Sequence, residues 1–242
     1  MSSKRHKGRD CAYCGESKAA TTSDHVIARE FFFEEDRTDL PQVPACARCN
    51  NTKSTLEHYA TAALMAGSKH IHGDRYRREK VASRLSKNRK LQRDMGIDDP
   101  PILMNIRGII QPMHVLKIES DKINKLMAMI VKGLYCFHFE ETLNTQFYVD
   151  VSMFPPDYEP VLWANLSGYF PPDSAKVEAN LGRSSFVYEG TRSPANQAFT
   201  LWRMAWHGGI RLHGANSPPE GVCVFWGVTR PTPETGAAHK TA

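Results

Sequence analysis

Two Cys-x-x-Cys pairs, Cys11-Ala-Tyr-Cys14 and Cys46-Ala-Arg-Cys49, constrain this 242-residue chain more than any other feature. Thiols at that spacing turn both sulfurs toward one point. Two such pairs match the ligand set of a closed tetrahedral metal site, with zinc as the expected ion. A segment of this length has few large apolar side chains, so a metal would do what a core does in a larger domain. Met1-Ser-Ser-Lys-Arg-His-Lys-Gly-Arg9 has charge but no apolar run behind it, which predicts no signal peptide and a reducing, cytoplasmic setting. In that setting paired cysteines are metal ligands before they are disulfides. Cys136 and Cys223 stand singly among apolar residues and are expected to be buried packing.

Between the two pairs lies Asp24-His25, a carboxylate beside an imidazole. Those two groups can hold a hard cation and take a proton from water next to it. Asn50 directly follows the fourth cysteine, and Lys53 follows three residues later.

At Cys11-x-x-Cys14, Asp24-His25-Val26-Ile27, Cys46-x-x-Cys49-Asn50 and Lys53 the chain resembles the HNH endonucleases, the ββα-metal or His-Me finger nucleases. The resemblance spans residues 8–60. It implies a zinc ion held by Cys11, Cys14, Cys46 and Cys49, which is structural and does not touch substrate. It implies His25 as general base, with Asp24 and Asn50 holding a catalytic divalent cation. Oxygen ligands with open water positions favour Mg2+ or Mn2+ there. The reaction implied is hydrolysis of DNA, leaving 5′-phosphate and 3′-hydroxyl ends. The chain also departs from the family. The register of the middle asparagine falls on Pro41, with Asp39 or Gln42 the residues placed to replace it. That departure favours the alternative, a zinc-binding nucleic-acid module without catalysis.

Charge distribution points the same way. Ten Lys/Arg against two acids fall between Lys69 and Arg93, whereas the rest of the chain has 21 basic and 24 acidic residues. A positive stripe beside a nuclease-like core suits a phosphate backbone. Arg48, Lys53, Arg84, Lys87 and Lys90 are the candidate DNA contacts. Mean hydropathy is −0.45, and no run approaches a membrane span.

The expected fold class is α+β: a zinc-stapled ββα domain followed by a mixed, β-rich C-terminal part. The expected divisions are 1–68 (nuclease domain, with a frayed arm over 1–10), 69–99 (basic helical connector), 100–230 (C-terminal domain) and 231–242 (disordered tail). A strand is expected from Asp24, a helix capped by Asn50 or Asn51 and ended by Gly67, and one surface helix over 73–95. Two short strands are expected over 102–110 and 112–118. Ile123, Leu126, Met127, Ile130, Val131, Leu134 and Phe137 then mark the buried stripe of a helix from Ser120 to Glu141. Strands are expected at 147–151, 161–170, 185–188 and 222–228, with a short helix over 197–206. Trp163, Trp202, Trp206 and Trp226 are core candidates before base-stacking ones. His58 is expected on the surface. Oligomeric state stays open, with a homodimer through residues 100–230 one arrangement.

Overall fold

In the computed structural model, residues 5–66, 73–106, 108–113, 116–211 and 222–232 are described. Strand β1 (Thr22–His25) and strand β2 (Gln42–Ala45) form an antiparallel hairpin, with Asp24 opposite Val43 and His25 opposite Gln42. Helix α1 (Ala47–Ala66) follows at once, giving a local β-β-α order. The helix starts three residues before the expected Asn50, because Cys46 caps it. The Cys46 sulfur accepts from Cys49 N at 3.4 Å, and its carbonyl accepts from Asn50 N at 3.0 Å. Asn50 and Asn51 are therefore helical residues and not caps. Gly67, the expected stop, lies outside the described residues.

The basic stretch is broken rather than one helix. Helix α2 (Gly73–Tyr76) runs into a π-helical turn at Arg77–Val81, then α3 (Ala82–Ser86) and α4 (Arg89–Asp94). Asn88 restarts the helix by accepting from Leu91 N at 2.9 Å. Strands β3 (Ile102–Ile106) and β4 (Ile109–Met113) form a separate hairpin.

Helix α5 (Ser120–Phe139) leads to a largely antiparallel sheet. Its strands are β5 (Phe147–Phe154), β6 (Ala175–Leu181), β7 (Phe186–Arg192), β8 (Thr200–Trp206), β9 (Ile210–Arg211) and β10 (Val222–Pro231), in the order β5-β10-β8-β7-β6 with β9 against β10. A short helix, α6 (Glu159–Leu166), interrupts between β5 and β6.

Two expectations fail here for local reasons. Residues 161–169 are helical, the last three as a 3-10 turn, because Pro160 presets the first turn and Glu159 suits its positive end. Residues 200–206 are a strand, with Thr200, Trp202, Met204 and Trp206 alternating onto the α5 side of the sheet. Strand β10 runs through Pro231, so the expected tail begins inside it; residues 233–242 lie outside the described residues.

The α5 stripe packs as expected, except that Phe137 is 42% exposed while Tyr135 and Cys136 are buried. Two glycines let this helix touch both halves of the chain. A Cβ on Gly133 would lie 2.8 Å from Val26, just past β1, and one on Gly227 would lie 2.6 Å from Val131. Phe31 also packs on Trp206 with centroids 4.2 Å apart and the rings tilted by 41°, and Arg183 pairs with Asp36 at 2.7 Å. One apolar core thus runs from Tyr13 and Val26 through α5 to Phe225. The divisions expected at 68 and 99 are not core boundaries. Nor is the arm frayed from residue 5 onward: His6 is buried, and Gly8 N donates to Ala20 O at 2.9 Å. Cys136 is buried as expected, whereas Cys223 is only half-buried.

Candidate metal centre and active site

The four sulfurs of Cys11, Cys14, Cys46 and Cys49 lie within 4.8 Å of one another, with Cys14 and Cys46 Sγ 4.0 Å apart. A tetrahedron with metal–sulfur bonds of about 2.3 Å has edges of about 3.8 Å, so the set could hold a structural metal such as zinc. The main chain is turned to suit it: Cys46 N donates to Cys11 Sγ, and Cys49 N to Cys46 Sγ, each at 3.4 Å. Burial, then the neighbouring sulfurs, pushes the Cys49 thiol far up. A bound cation would remove that penalty by taking the thiols as thiolates.

This cluster ties the start of α1 to the first knuckle and so sets β1 against the helix. Adjacent strand residues point to opposite faces, and Asp24 and His25 do so here. Asp24 shares its face with Thr22, toward α1. Asn50 Nδ2 donates to Thr22 Oγ1 at 3.4 Å, and Lys53, one turn further on, reaches Asp24. Asp24 and Asn50 therefore lie on the same side of β1 but engage different partners.

Lys53 is wholly buried and spends all three of its protons inside. Its Nζ lies 3.1 Å from Asp24 Oδ2, donates to His25 O at 2.7 Å, and pairs with Glu57. The same Asp24 oxygen accepts from the Tyr13 hydroxyl at 2.5 Å. Lys53 is thus a tether between α1 and the end of β1, not the phosphate contact expected of it. Burial pushes Glu57 up to about 7 even with this ammonium against it, because Asp24 shares the charge. Tyr13 is raised well above its ordinary value, first by burial and then by Asp24. Asp24 Oδ2 already holds a hydroxyl and an ammonium, so a cation shared with Asn50, as the resemblance implies, would meet Asp24 through its other oxygen.

The other face of β1 is different. His25 is half-buried, and its Nε2 lies 2.9 Å from Gln42 Nε2, while Ser23 Oγ sits 2.9 Å from Gln42 Oε1. Of the two residues expected to replace the middle asparagine, Gln42 holds the imidazole and Asp39 is exposed. Burial lowers the His25 pKa; Asp24 opposes this, while Arg29 and Lys53 add to it. That direction favours the neutral ring. A serine hydroxyl donates or accepts, so either orientation of the Gln42 amide is satisfied. As placed, the Gln42 amide nitrogen donates to Nε2 and leaves the ring proton on Nδ1; with the amide turned over, the proton stays on Nε2 and Nδ1 carries the free lone pair.

Among the expected DNA contacts, Arg48, Lys87 and Lys90 are exposed, whereas Arg84 is bound to Glu30. Arg75 is held by Glu35 at 2.9 Å and by Glu79 at 3.0 Å, and lies over the Phe33 ring. The first half of the basic stretch is thereby docked on the chain itself. The second half faces outward, and Arg89 and Arg93 line a cleft of about 500 Å³ with Ser86, Gln92 and Asp98. His58 is exposed, as expected, and its neighbour Glu57 is the residue that turns into the site. Tyr13 carries no local sequence signal of a site role, whereas Glu57 follows Lys53 by one helical turn, the spacing at which side chains on a helix meet.

No protein-family model, curated protein or solved structure matches this chain.

Proposed function

We propose that this chain is an endonuclease of the HNH type that hydrolyses DNA, with a zinc ion on its four cysteines and His25 as general base. The observation that carries the reading is the placement of His25. The imidazole is half-buried, held through one nitrogen by Gln42, and mounted on a hairpin next to the four-cysteine cluster. A positioned neutral imidazole takes the proton of an attacking water as the phosphodiester bond is broken, and such a group typically contributes ~10²–10⁴-fold in rate. Gln42 keeps the ring from turning away, and Ser23 fixes Gln42 in turn. Exposed Arg48, Lys87 and Lys90, with Arg89 and Arg93, supply the positive surface for the phosphate backbone.

A second reading is favoured by one observation: Lys53 holds Asp24. If that carboxylate is permanently taken, the hairpin is a zinc-stapled nucleic-acid-binding module that does not cleave. Supercoiled plasmid incubated with the purified protein and Mg2+, Mn2+ or EDTA separates the two. Metal-stimulated cleavage supports the nuclease. Binding without cleavage under every condition supports the module.

A further inference from the structure

We infer that the face of the C-terminal sheet turned away from α5 holds a binding site for a nucleobase, beside α6. The inference stands whether or not the protein cleaves DNA. Alternation sends Trp202 and Met204 of β8 to the α5 side and leaves Leu201 and Arg203 on the other. The registers then set a row across four strands: Glu178 opposite Glu189, Glu189 opposite Arg203, Arg203 opposite Trp226. A second row sets Lys176 opposite Thr191 and Thr191 opposite Leu201. Helix α6 packs Leu162 and Trp163 on the Trp226 end of this face, and Arg203 Nε anchors it by donating to Glu159 Oε1 at 2.7 Å. Both rows and Trp163 border a cavity of about 650 Å³. Small-molecule sites span roughly 300–1,000 Å³.

Two buried polar groups of this lining have nothing to bond. Trp226 and Thr191 are 2% and 5% exposed, yet the Trp226 indole N–H and the Thr191 hydroxyl find no partner among the described residues. Buried polar groups are nearly always paired, so the two mark where the edge of a ligand fits. The indole needs an acceptor; the hydroxyl takes either kind of partner.

The rest of the lining selects the ligand. Trp163 is 39% exposed and stands at 87° to Trp226, with ring centroids 6.1 Å apart. A flat ring laid parallel to one indole meets the other edge-on, so stacking and an edge contact are available together. The buried part of the lining, Trp226, Leu201, Gly190 and Thr191, offers side-chain hydrogen bonds at only two places. A sugar, with a hydroxyl on most of its carbons, would leave several unpaired there. A nucleobase has two apolar faces and a few polar edge atoms, and would not. Glu159, Glu178 and Glu189 outnumber Lys176 and Arg203, and Arg203 is already shared by Glu159 and Glu189. That balance disfavours a free anion, while carboxylates accept from the amino groups of bases. The same chemistry serves a free nucleoside or an unstacked base in a strand.

Calorimetric titration of the full chain with the four deoxynucleosides, a single-stranded tetranucleotide and methyl glucoside tests this, beside Trp163→Ala and Thr191→Val. Saturable binding of a base-bearing ligand is expected, weakened ~10-fold or more by Trp163→Ala through lost stacking. Thr191→Val keeps the shape and should weaken it by about 5-fold. Both variants should keep the wild-type zinc content, because neither residue is near the cysteines in the fold. Nucleosides and the tetranucleotide weakened alike by Trp163→Ala place the base in a strand; a loss confined to nucleosides assigns a free nucleoside. If neither ligand loses affinity in the two variants, the inference is overturned. Methyl glucoside binding that depends on Trp163 in place of nucleosides overturns it as well.

Discussion

Two polar clusters flank the first turns of α1, and they solve the same electrostatic problem in opposite ways. Four sulfurs crowd within 4.8 Å, and Arg48, which reaches Cys14 from the surface, is shared with Glu16 at 3.8 Å. Asp24 and Glu57 crowd at the other cluster, but Lys53 brings a cation from within the chain. The first cluster could hold an external ion; the second already holds a lysine, which offsets one of its two carboxyls. The difference teaches that a motif spacing specifies which groups meet, whereas the charge left over after they meet decides what else can bind.

The largest expected effect is on the sulfur cluster. Removing the metal with a strong chelator, or replacing Cys46 with Ser, should unfold the segment up to the end of β2, since metal binding to such sites contributes on the order of 10 kcal/mol. Metal analysis of protein purified without added zinc should give about one equivalent per chain. Finding none in folded protein would break the comparison at its first half.

Next comes Lys53→Met. It leaves two buried carboxyls without their ammonium, which should cost about 3 kcal/mol in a denaturant titration. It should also make the cluster responsive to external cations, so that Mn2+ raises the Tm of the variant and leaves the wild type unchanged. A variant as stable as the wild type and indifferent to Mn2+ would mean that the lysine is not the ion that closes this site.

Glu57 gives a smaller, pH-dependent effect. Its folded pKa, about 7, lies above the ordinary 4.5, so the folded state binds this proton more tightly. That contribution to stability is full below pH 4.5 and is lost as pH rises through 7. Glu57→Gln should flatten the fall in Tm over that window, and unfolding curves at several pH values would show it. An unchanged slope would place the pH dependence elsewhere.

The smallest effect on stability belongs to the exposed half of the basic stretch. Lys87→Glu with Lys90→Glu should leave Tm within error while weakening binding to all DNA sequences alike. The salt dependence should flatten by a slope of roughly 0.9 per lost phosphate contact. Equal affinity and equal slope would move the DNA surface away from α3 and α4.

Legibility in the sequence followed the range of the interaction. The cysteine pairs and the α5 stripe are local patterns, and both appear where their spacing puts them. Strand β6 was equally local, its Val177, Ala179 and Leu181 alternating with polar residues, and was overlooked. Residues 200–206 misled because a stretch with Leu201, Met204 and Ala205 suits a helix, and only pairing with β7 and β10 makes it a strand. Lys53 was read as a surface cation because burying an ammonium needs three acceptors, and these come from β1 and α1 once they pack. The role of Gln42 was half visible. Its place near the missing asparagine was local, but its contact with His25 depends on the β1–β2 register.

The central claim rests on His25, and plasmid cleavage by His25→Ala beside the wild type tests it most directly. The ring contributes little to the core or to the four-cysteine cluster, so the variant should keep its metal content, its Tm and its affinity for DNA. Cleavage should fall by ~10²–10⁴-fold. A variant that cleaves at the wild-type rate would show that His25 is not the base and contradict the account.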